Sequence, residues 1–194
     1  MKNADRVWFG VAYEDHLAKA TTFGNSEGEV VKALLKMHPL EEPLKMSFER
    51  SVFADSIVRS MINVYEGKGS ATNNSLDLER LRTYTRRVLR TVSQIPLGYV
   101  VSYGGVAEVA GGGARAVGNV MATNPFAPII PCHRVVTSSL GLGGYGGGLK
   151  TKFEILQREK QGYVKSETLQ IGARSLKVFP VEFVLAKLKY ILKF

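Results

Sequence analysis

The sequence predicts an α/β N-terminal domain, made of a small sheet with helices, followed by a mainly α C-terminal domain that contains a helix-turn-helix. Three observations favour this fold class. Two β-prone runs lie near the N-terminus, a linker-like segment spans 67–75, and two short helical segments separated by three glycines follow. A chain of 194 residues is long enough for one domain or two small ones. The composition shift at the linker places a boundary near residue 75, so we predict domains over 1–75 and 76–162 and a C-terminal extension over 163–194.

The N-terminal domain is predicted to contain one hairpin and two helices. The runs RVWFGVAY and LAKATTFG, joined by EDH, are typical of paired strands. Residues 27–37 favour a helix, and Gly67 and Gly69 provide a stop for a second one. The apolar residues of that second helix recur at helical spacing: Phe53, Ile57, Met61 and Val64.

The second domain begins with LDLERLRTYTRRVLRTVSQIP, which predicts an amphipathic helix. Its apolar stripe consists of Leu78, Leu81, Val88 and Val92. Five arginines lie mostly off that stripe: Arg80, Arg82, Arg86, Arg87 and Arg90. An arginine face of this kind is usually solvated, although it could also border a track of phosphates.

The segments SYGGVAEVAGGG and ARAVGNVMATNP have the outline of a helix-turn-helix. The second helix has unusually small side chains at Ala114, Ala116, Gly118 and Ala122. Because glycine inside a helix costs about 1 kcal/mol relative to alanine, Gly118 indicates that something approaches the backbone closely. Either tight helix packing or DNA pressed against this face fits the pattern.

A glycine-rich loop, LGLGGYGGG, precedes the predicted helix LKTKFEILQREK. No Lys-Ser or Lys-Thr pair follows these glycines, so the loop is not a phosphate-binding P-loop, and we predict that it lines a pocket. In the extension, a final helix is predicted to dock on the protein's own core rather than on a partner or DNA. Its apolar stripe consists of Val181, Val184, Leu185, Leu188, Ile191 and Leu192.

Composition narrows the class of protein. The hydrophobic share is 45% and the charged share 22%, which is typical of a globular chain. Lys and Arg number 26 against 17 Asp and Glu, and the resulting net charge of +9 favours a polyanionic partner such as nucleic acid. No apolar run approaches the roughly 18 residues of a membrane helix, and no secretory signal is visible. A cytoplasmic protein is therefore expected.

Cys132, within IIPCHRVV, is the only cysteine of the chain. A lone cysteine forms no internal disulfide, so it is either an inert core residue or a reagent. A reactive thiol needs a base or positive field to favour the thiolate, and His133 is the adjacent candidate. Adjacency alone is a weak signal, because neighbours on an extended strand point to opposite faces. The three histidines, His16, His38 and His133, match no zinc spacing, so no metal is expected.

The segment from SYG to QRE resembles the DNA-binding domain of the O6-alkylguanine-DNA alkyltransferases, also called methylated-DNA-protein-cysteine methyltransferases. It contains, in order, the motifs SYG, ARAVGNVM, NP, PCHRVV and GGYGGGLKTKFEILQRE. The resemblance covers about 76–162, and the preceding hairpin and helices resemble more loosely the variable N-terminal domain of that family. It implies a winged-helix-like DNA-binding unit and no cofactor.

The resemblance implies that Cys132 takes an alkyl group from O6 of guanine in double-stranded DNA and keeps it, so that each molecule acts once. His133 would accept the thiol proton through a water, and Glu159 would hold and polarise the imidazole. Asn124 would belong to a buried network that ties the recognition helix to the active site. Tyr103 would supply a proton or hydrogen bond to the purine and crowd the phosphate while the base is extruded.

The resemblance also assigns the contacts to DNA. Arg115 would enter the duplex and fill the space of the flipped base, while Ala114, Ala116 and Gly118 would let the helix enter the narrow minor groove. The guanine pocket would be lined by Pro131, Val135, Tyr145 and Gly146. The expected partner is DNA containing O6-alkylguanine, and we expect a cytoplasmic monomer that associates with the nucleoid while it scans DNA.

Other functions remain open from the sequence. One is a non-catalytic protein that recognises alkylated bases, although such relatives lack the reactive cysteine. Another is a helix-turn-helix regulator whose thiol senses alkylation or oxidation. A Cys-His hydrolase is a further enzyme class, but no motif supports it.

Overall fold

The computed structural model describes residues 2–4, 7–37, 51–69 and 75–191. The strands are β1 Lys2–Ala4, β2 Val7–Glu14, β3 Leu17–Gly24, β4 Tyr99–Ser102, β5 Val135–Val136, β6 Glu167–Ile171 and β7 Arg174–Pro180. The helices are α1 Glu27–Met37, α2 Val52–Tyr65, α3 Thr83–Val92, α4 Tyr103–Ala110, α5 Ala114–Ala122, α6 Leu149–Arg158 and α7 Val181–Ile191. The chain thus combines small sheets with helices, as the predicted α/β class requires.

The N-terminal elements agree with the prediction. β1, β2 and β3 form an antiparallel sheet in that order, and the β2–β3 pair is the predicted hairpin. The helix expected over 27–37 is α1, and the second helix is α2, whose N-terminus is capped by the Ser51 hydroxyl. The predicted linker includes residues 70–74, which lie outside the described part of the chain.

The first helix of the C-terminal part is shorter than predicted, since it begins at Thr83 rather than near Leu78. The cause is a tertiary contact, because Leu76 forms a bridge with Ala18 and the Asp77 N–H donates to the Ala18 carbonyl. This pairing holds the backbone away from a helical path. The prediction that Leu78 and Leu81 belong to the helical stripe was therefore wrong, although both pack against the core.

The C-terminal part was expected to be mainly helical, and it also contains a four-stranded sheet in the order β5-β4-β7-β6. Neighbouring side chains alternate between its faces. Val101 and Val135 belong to one core cluster, whereas Val100 and Val136 belong to another. Helices α3, α4 and α5 cover the first face, and α6 and α7 cover the second. The sheet that contains β5, the strand after Cys132–Arg134, therefore lies between two helical layers.

The extension after residue 162 is part of this layered structure. α7 is the predicted final helix, and its buried residues pack with Leu156 of α6 and Val136 of β5: Val181, Val184, Leu185 and Leu188. The predicted docking on the protein's own core is confirmed for these four residues, while the side chain of Ile191 and all of Leu192 lie outside the described residues. The hairpin of β6 and β7 was not predicted.

The N-terminal sheet also contacts the segment that leads to the cysteine. The Thr21 N–H donates to the Pro125 carbonyl at 2.8 Å, and its hydroxyl donates to the Ala127 carbonyl at 2.9 Å. One continuous core cluster includes Phe9 and Cys132. Among the described residues, no helix is both long enough and apolar enough to cross a membrane.

Candidate active site and DNA-facing helix

Cys132 opens a short 3-10 turn, Cys132–Arg134, that follows Pro131 and leads into β5. The thiol is almost fully buried. In a 3-10 turn, with three residues per turn, neighbouring side chains are about 120° apart and do not point to opposite faces. The local structure therefore removes the objection that Cys132 and His133, as neighbours on an extended strand, would point apart.

His133 and Glu159 form a fully buried pair. The His133 Nε2 lies 2.9 Å from Glu159 Oε1, and neither side chain is exposed to solvent. Burial alone would raise the pKa of Glu159, but the neighbouring His133 and Arg134 lower it to about 2. Glu159 is thus a carboxylate that only accepts hydrogen bonds, so the Nε2–H of His133 must donate to it.

The other ring nitrogen of His133 is consequently the basic one. Burial lowers the pKa of His133, which keeps the imidazole neutral near pH 7. With the proton on Nε2, the Nδ1 atom carries a lone pair, and this buried atom has no hydrogen-bond partner among the described residues. The site therefore contains a neutral imidazole whose tautomer is set by Glu159 and whose basic nitrogen is open.

Arg134 is a member of this cluster that the sequence analysis did not identify. Its Nε donates to both carboxylate oxygens of Glu159, at 3.1 and 2.9 Å, and its Nη2 donates to Oε1 at 2.7 Å. The Nη1 atom donates to the Ile95 carbonyl at 2.6 Å. The two charges are therefore taken out of water together as a hydrogen-bonded pair, which burial of opposite charges requires. The CHR run was the available signal.

Cys132 is a protonated thiol in this resting site. Burial raises the pKa of Cys132, while a hydrogen bond with the Asn124 side chain and the charge of Lys152 oppose the shift. Asn124 is itself buried, donating from Nδ2 to the Ile130 carbonyl at 2.9 Å and accepting the Phe126 N–H at 3.0 Å. Asn124 is thus held by buried hydrogen bonds, and formation of the Cys132 thiolate requires a base.

Lys152, on the first turn of α6, is a second residue that the sequence analysis missed. Its side chain is fully buried, and Nζ donates to the carbonyls of Val135 and Leu142, each at 2.6 Å, and of Gly144 at 3.4 Å. Burial lowers its pKa to about 8. Lys152 therefore fastens the glycine-rich loop to β5, the strand that follows the cysteine turn.

Tyr103, the first residue of α4, lies between that loop and α5. Its hydroxyl donates to the Gly144 carbonyl at 3.4 Å. A β-carbon on Gly143, whose φ is +66°, would lie 2.9 Å from the Tyr103 ring, so glycine is needed there both for the backbone and for the close approach. A β-carbon on Gly118 would lie 4.0 Å from the same ring.

The residues predicted to line the guanine pocket differ in their exposure. Pro131 and Val135 are buried, Tyr145 is half-buried and Gly146 is exposed. Burial, supported by the nearby Cys132, raises the pKa of Tyr145, and it has the same effect on Tyr103. Both phenols thus stay protonated beside the thiol. Among the described residues, no cluster of acidic, histidine or cysteine side chains fits a metal ion.

Helix α5 presents the predicted small surface. Ala114 and Arg115 are exposed at its first turn, and Ala116 and Gly118 are half-buried. Its other face packs into the core through Val117, Val120 and Met121. The turn before it, Gly111–Gly113, joins it to α4. The two helices predicted for this region are therefore present, and Arg115 is exposed on α5.

Known proteins resemble this chain in sequence and fold. The family model described as 6-O-methylguanine DNA methyltransferase, DNA binding domain, matches residues 83–161. The methylated-DNA--protein-cysteine methyltransferase of Mycobacterium leprae (strain TN) is 37% identical over 147 residues, covering 73% of this chain and 87% of that protein. The chain belongs to this methyltransferase family.

Solved structures of the family share the fold. The O6-methylguanine-DNA methyltransferase of the archaeon Pyrococcus kodakaraensis strain KOD1 superposes with a TM-score of 0.64 at 24% identity, covering 82% of this chain and 95% of that one. Mycobacterium tuberculosis OGT in complex with DNA gives a TM-score of 0.56 at 29% identity, covering 78% and 86%. The family's DNA-binding model contains Cys132, His133 and Glu159 but ends before the β6–β7 hairpin.

Proposed function

We propose that this chain repairs double-stranded DNA by moving an alkyl group, such as methyl, from O6 of guanine to the sulfur of Cys132. The observation that carries the proposal is the open Nδ1 of a neutral His133 beside a buried thiol, with Glu159 fixing the tautomer. A base in that state can accept one proton at neutral pH, which is what the resting thiol must lose.

In the proposed reaction, the thiol proton passes to His133 Nδ1 through a bridging water, and the thiolate attacks the alkyl carbon. A carbon–sulfur bond forms while the bond from that carbon to O6 breaks, and the electron pair leaves with guanine. The imidazolium that results is stabilised by Glu159, whose carboxylate stays ionised at any pH above about 2. The positive Lys152, whose charge lowers the pKa of Cys132, favours the thiolate.

Tyr103 is proposed to assist the leaving group. Guanine gains negative charge as the alkyl group departs, and a hydrogen bond to the purine ring would stabilise it. Because burial raises the pKa of Tyr103, its hydroxyl remains a donor throughout the neutral range. Its hydrogen bond to the Gly144 carbonyl is long, at 3.4 Å, so the hydroxyl could exchange it for one to the guanine base.

DNA would reach the site through the α4–α5 unit, which we interpret as a winged-helix-like helix-turn-helix. Ala114, Ala116 and Gly118 would lie in the minor groove, and Arg115 would occupy the place of the flipped nucleotide. The flipped guanine would then lie between Tyr103 and the loop that carries Tyr145 and Gly146, against Pro131 and Val135. Asn124 would couple α5, whose end it follows, to the cysteine turn.

The thioether product has no good leaving group, so the reaction would occur once per chain and consume the protein. No cofactor takes part in these steps. We propose that the free protein is a monomer acting in the cytoplasm, and that its functional division follows the predicted ranges 1–75, 76–162 and 163–194.

The test is intact-protein mass spectrometry after incubation with a duplex carrying one O6-methylguanine. We expect a gain of one methylene mass, saturating at one per chain, with no gain for Cys132→Ser or with an unmodified duplex. His133→Gln should fold yet react at least 100-fold more slowly. Binding to the lesion without any mass gain would overturn the proposal and leave a damage-recognition protein or an alkylation-sensing regulator.

A further inference from the structure

The β6–β7 hairpin occupies a specific place relative to the helix-turn-helix. β4 connects α3 to α4, β7 pairs antiparallel with β4, and β6 pairs antiparallel with β7. A wing flanks the recognition helix in folds where a strand precedes the two helices and a later hairpin pairs with that strand. Here the hairpin comes from the extension, beyond the region matched by the family's DNA-binding model.

The hairpin runs along α4, and its turn reaches the end of that helix. Leu176 of β7 lies beside Gly105, 3.7 Å from the position of a β-carbon there. At the turn, Arg174 Nη1 donates to the carbonyls of Glu108 and Val109, at 2.6 and 3.0 Å. These carbonyls belong to the last turn of α4, directly before the Gly111–Gly113 turn that leads to Arg115.

The Arg174 guanidinium is held by one nitrogen only. The side chain is exposed, and within the described part of the chain its Nε and Nη2 atoms have no partner. These two nitrogens form the edge with which arginine binds phosphate in a bidentate way. A helix cap would need a cation near the last carbonyls, but it would not need this open edge.

We propose that Arg174 and the exposed Gly172–Ala173 turn form a second DNA contact, in which the guanidinium binds a backbone phosphate next to the recognition helix. The β6–β7 hairpin would then be a wing, and the extension would enlarge the DNA interface. This inference rests on the proposed function for its partner, double-stranded DNA. Glu108 is the acidic residue of α4 and is exposed, so its charge weakens the contact without blocking it.

The chain offers a matched control on the same strand. Lys177 is an exposed cation of β7, but it alternates to the opposite face of the hairpin, where its Nζ lies 5.4 Å from the Phe179 ring centroid. A loss of positive charge at Lys177 changes the net charge as much as a loss at Arg174. Any difference between the two therefore reports position rather than total charge.

The experiment measures the affinity of the full chain for an unmodified duplex at salt concentrations from about 50 to about 200 mM. Over this range, rising salt weakens binding strongly when the protein contacts phosphates. For Arg174→Gln we expect binding about three- to tenfold weaker at low salt and a salt slope reduced by about 0.9, the value of one phosphate contact. Arg174→Lys should retain most of the slope, and Lys177→Gln should match the unmodified chain.

A second variant avoids the contacts with α4. Ala173→Glu places a negative charge at the exposed turn and leaves the Arg174 bonds intact, so it should weaken DNA binding without lowering the melting temperature. An unchanged salt slope in Arg174→Gln together with unchanged binding in Ala173→Glu would overturn the proposal and leave Arg174 as a helix cap. Equal losses in Lys177→Gln would also overturn it. Failure of the unmodified chain to bind any duplex would instead contradict the proposed function.

Discussion

Helix α6 carries one fully buried charge near each end, and the protein compensates these two charges in different ways. Glu159, at the C-terminal end, faces the Arg134 guanidinium and the neutral His133 imidazole, whereas Lys152, on the first turn, faces only backbone carbonyls. The pKa of Glu159 is lowered to about 2, so its charge is reinforced. The pKa of Lys152 is lowered to about 8, so its charge is retained at neutral pH but lies close to its titration range.

Neither placement helps the helix itself. The helix dipole favours acidic groups at the N-terminus and basic groups at the C-terminus, and α6 has the reverse at both buried positions. The positions are therefore explained by their buried partners: Glu159 binds His133 and Arg134, and Lys152 binds the glycine-rich loop. An ion pair gives a charge that persists at every working pH, while carbonyl dipoles leave a charge that titrates close to physiological pH.

The largest effect on stability is expected when the charge of Glu159 is removed. Glu159→Gln keeps the shape but leaves Arg134 buried without its counter-charge, so we expect the free energy of unfolding to fall by about 3 to 5 kcal/mol. Urea denaturation measures it. Glu154→Gln, on the partly exposed side of the same helix, should cost less than about 0.5 kcal/mol. A loss below 1 kcal/mol at Glu159 would show that Arg134 finds another partner or water.

The second prediction concerns the alkaline side, where Lys152 titrates between its folded and unfolded pKa values. Its ordinary pKa is 10.5 and its folded pKa about 8, so between these values the unfolded chain binds more protons. Stability contributed by this group therefore rises as pH increases from 8 to 10.5, by about 3 kcal/mol in total. Below pH 8 the lysine is protonated in both states and adds no slope.

The measurement compares two variants that both lack the Cys132 thiol, because titration of that buried thiol changes stability in the opposite direction from Lys152. Burial raises the pKa of Cys132, so the folded state holds that proton longer and loses stability as pH rises. Cys132→Ser removes this effect, and unfolding is followed from pH 7 to 10.5 with and without the additional change Lys152→Met. The difference between the two curves should rise with pH, and a flat difference would contradict a depressed lysine pKa.

The two charges also differ in how far the sequence could predict them. Glu159 was predicted from the family motif, and His133 was predicted from its position directly after Cys132. Arg134 and Lys152 were not predicted, because arginine and lysine are normally exposed and the LKTK run offers two lysines for one inward position. The seven-residue spacing of Lys152 and Glu159 places them two turns apart on one face of α6, which is the signal that would find the lysine.

The same contrast applies to the fold. Helices α4 and α5 and the final helix were predicted, because strong local patterns determine them: three glycines between two periodic segments, and an apolar stripe. The late start of α3 depends on pairing between Leu76 and Ala18, which are far apart in sequence. The β6–β7 hairpin did have a local signal, since apolar residues alternate on both sides of Gly172: Leu169, Ile171, Leu176 and Val178.

The smallest stability effect is expected at Lys152 itself. Lys152→Met removes a buried charge whose burial is costly, and it also removes hydrogen bonds to three carbonyls, so at pH 7 the two effects nearly cancel and the free energy of unfolding should change by less than about 1 kcal/mol. Alkyl transfer should nevertheless slow about 10- to 100-fold, because the loop carrying Tyr145 loses its attachment to β5 and misplacement of about 1 Å has that effect. Lys150→Met, on the same turn but exposed, should change neither quantity. A full rate with unchanged stability would mean that Tyr103 alone holds the loop through Gly144, whereas a loss of several kcal/mol would mean that the carbonyl cage stabilises the ammonium as well as an ion pair does.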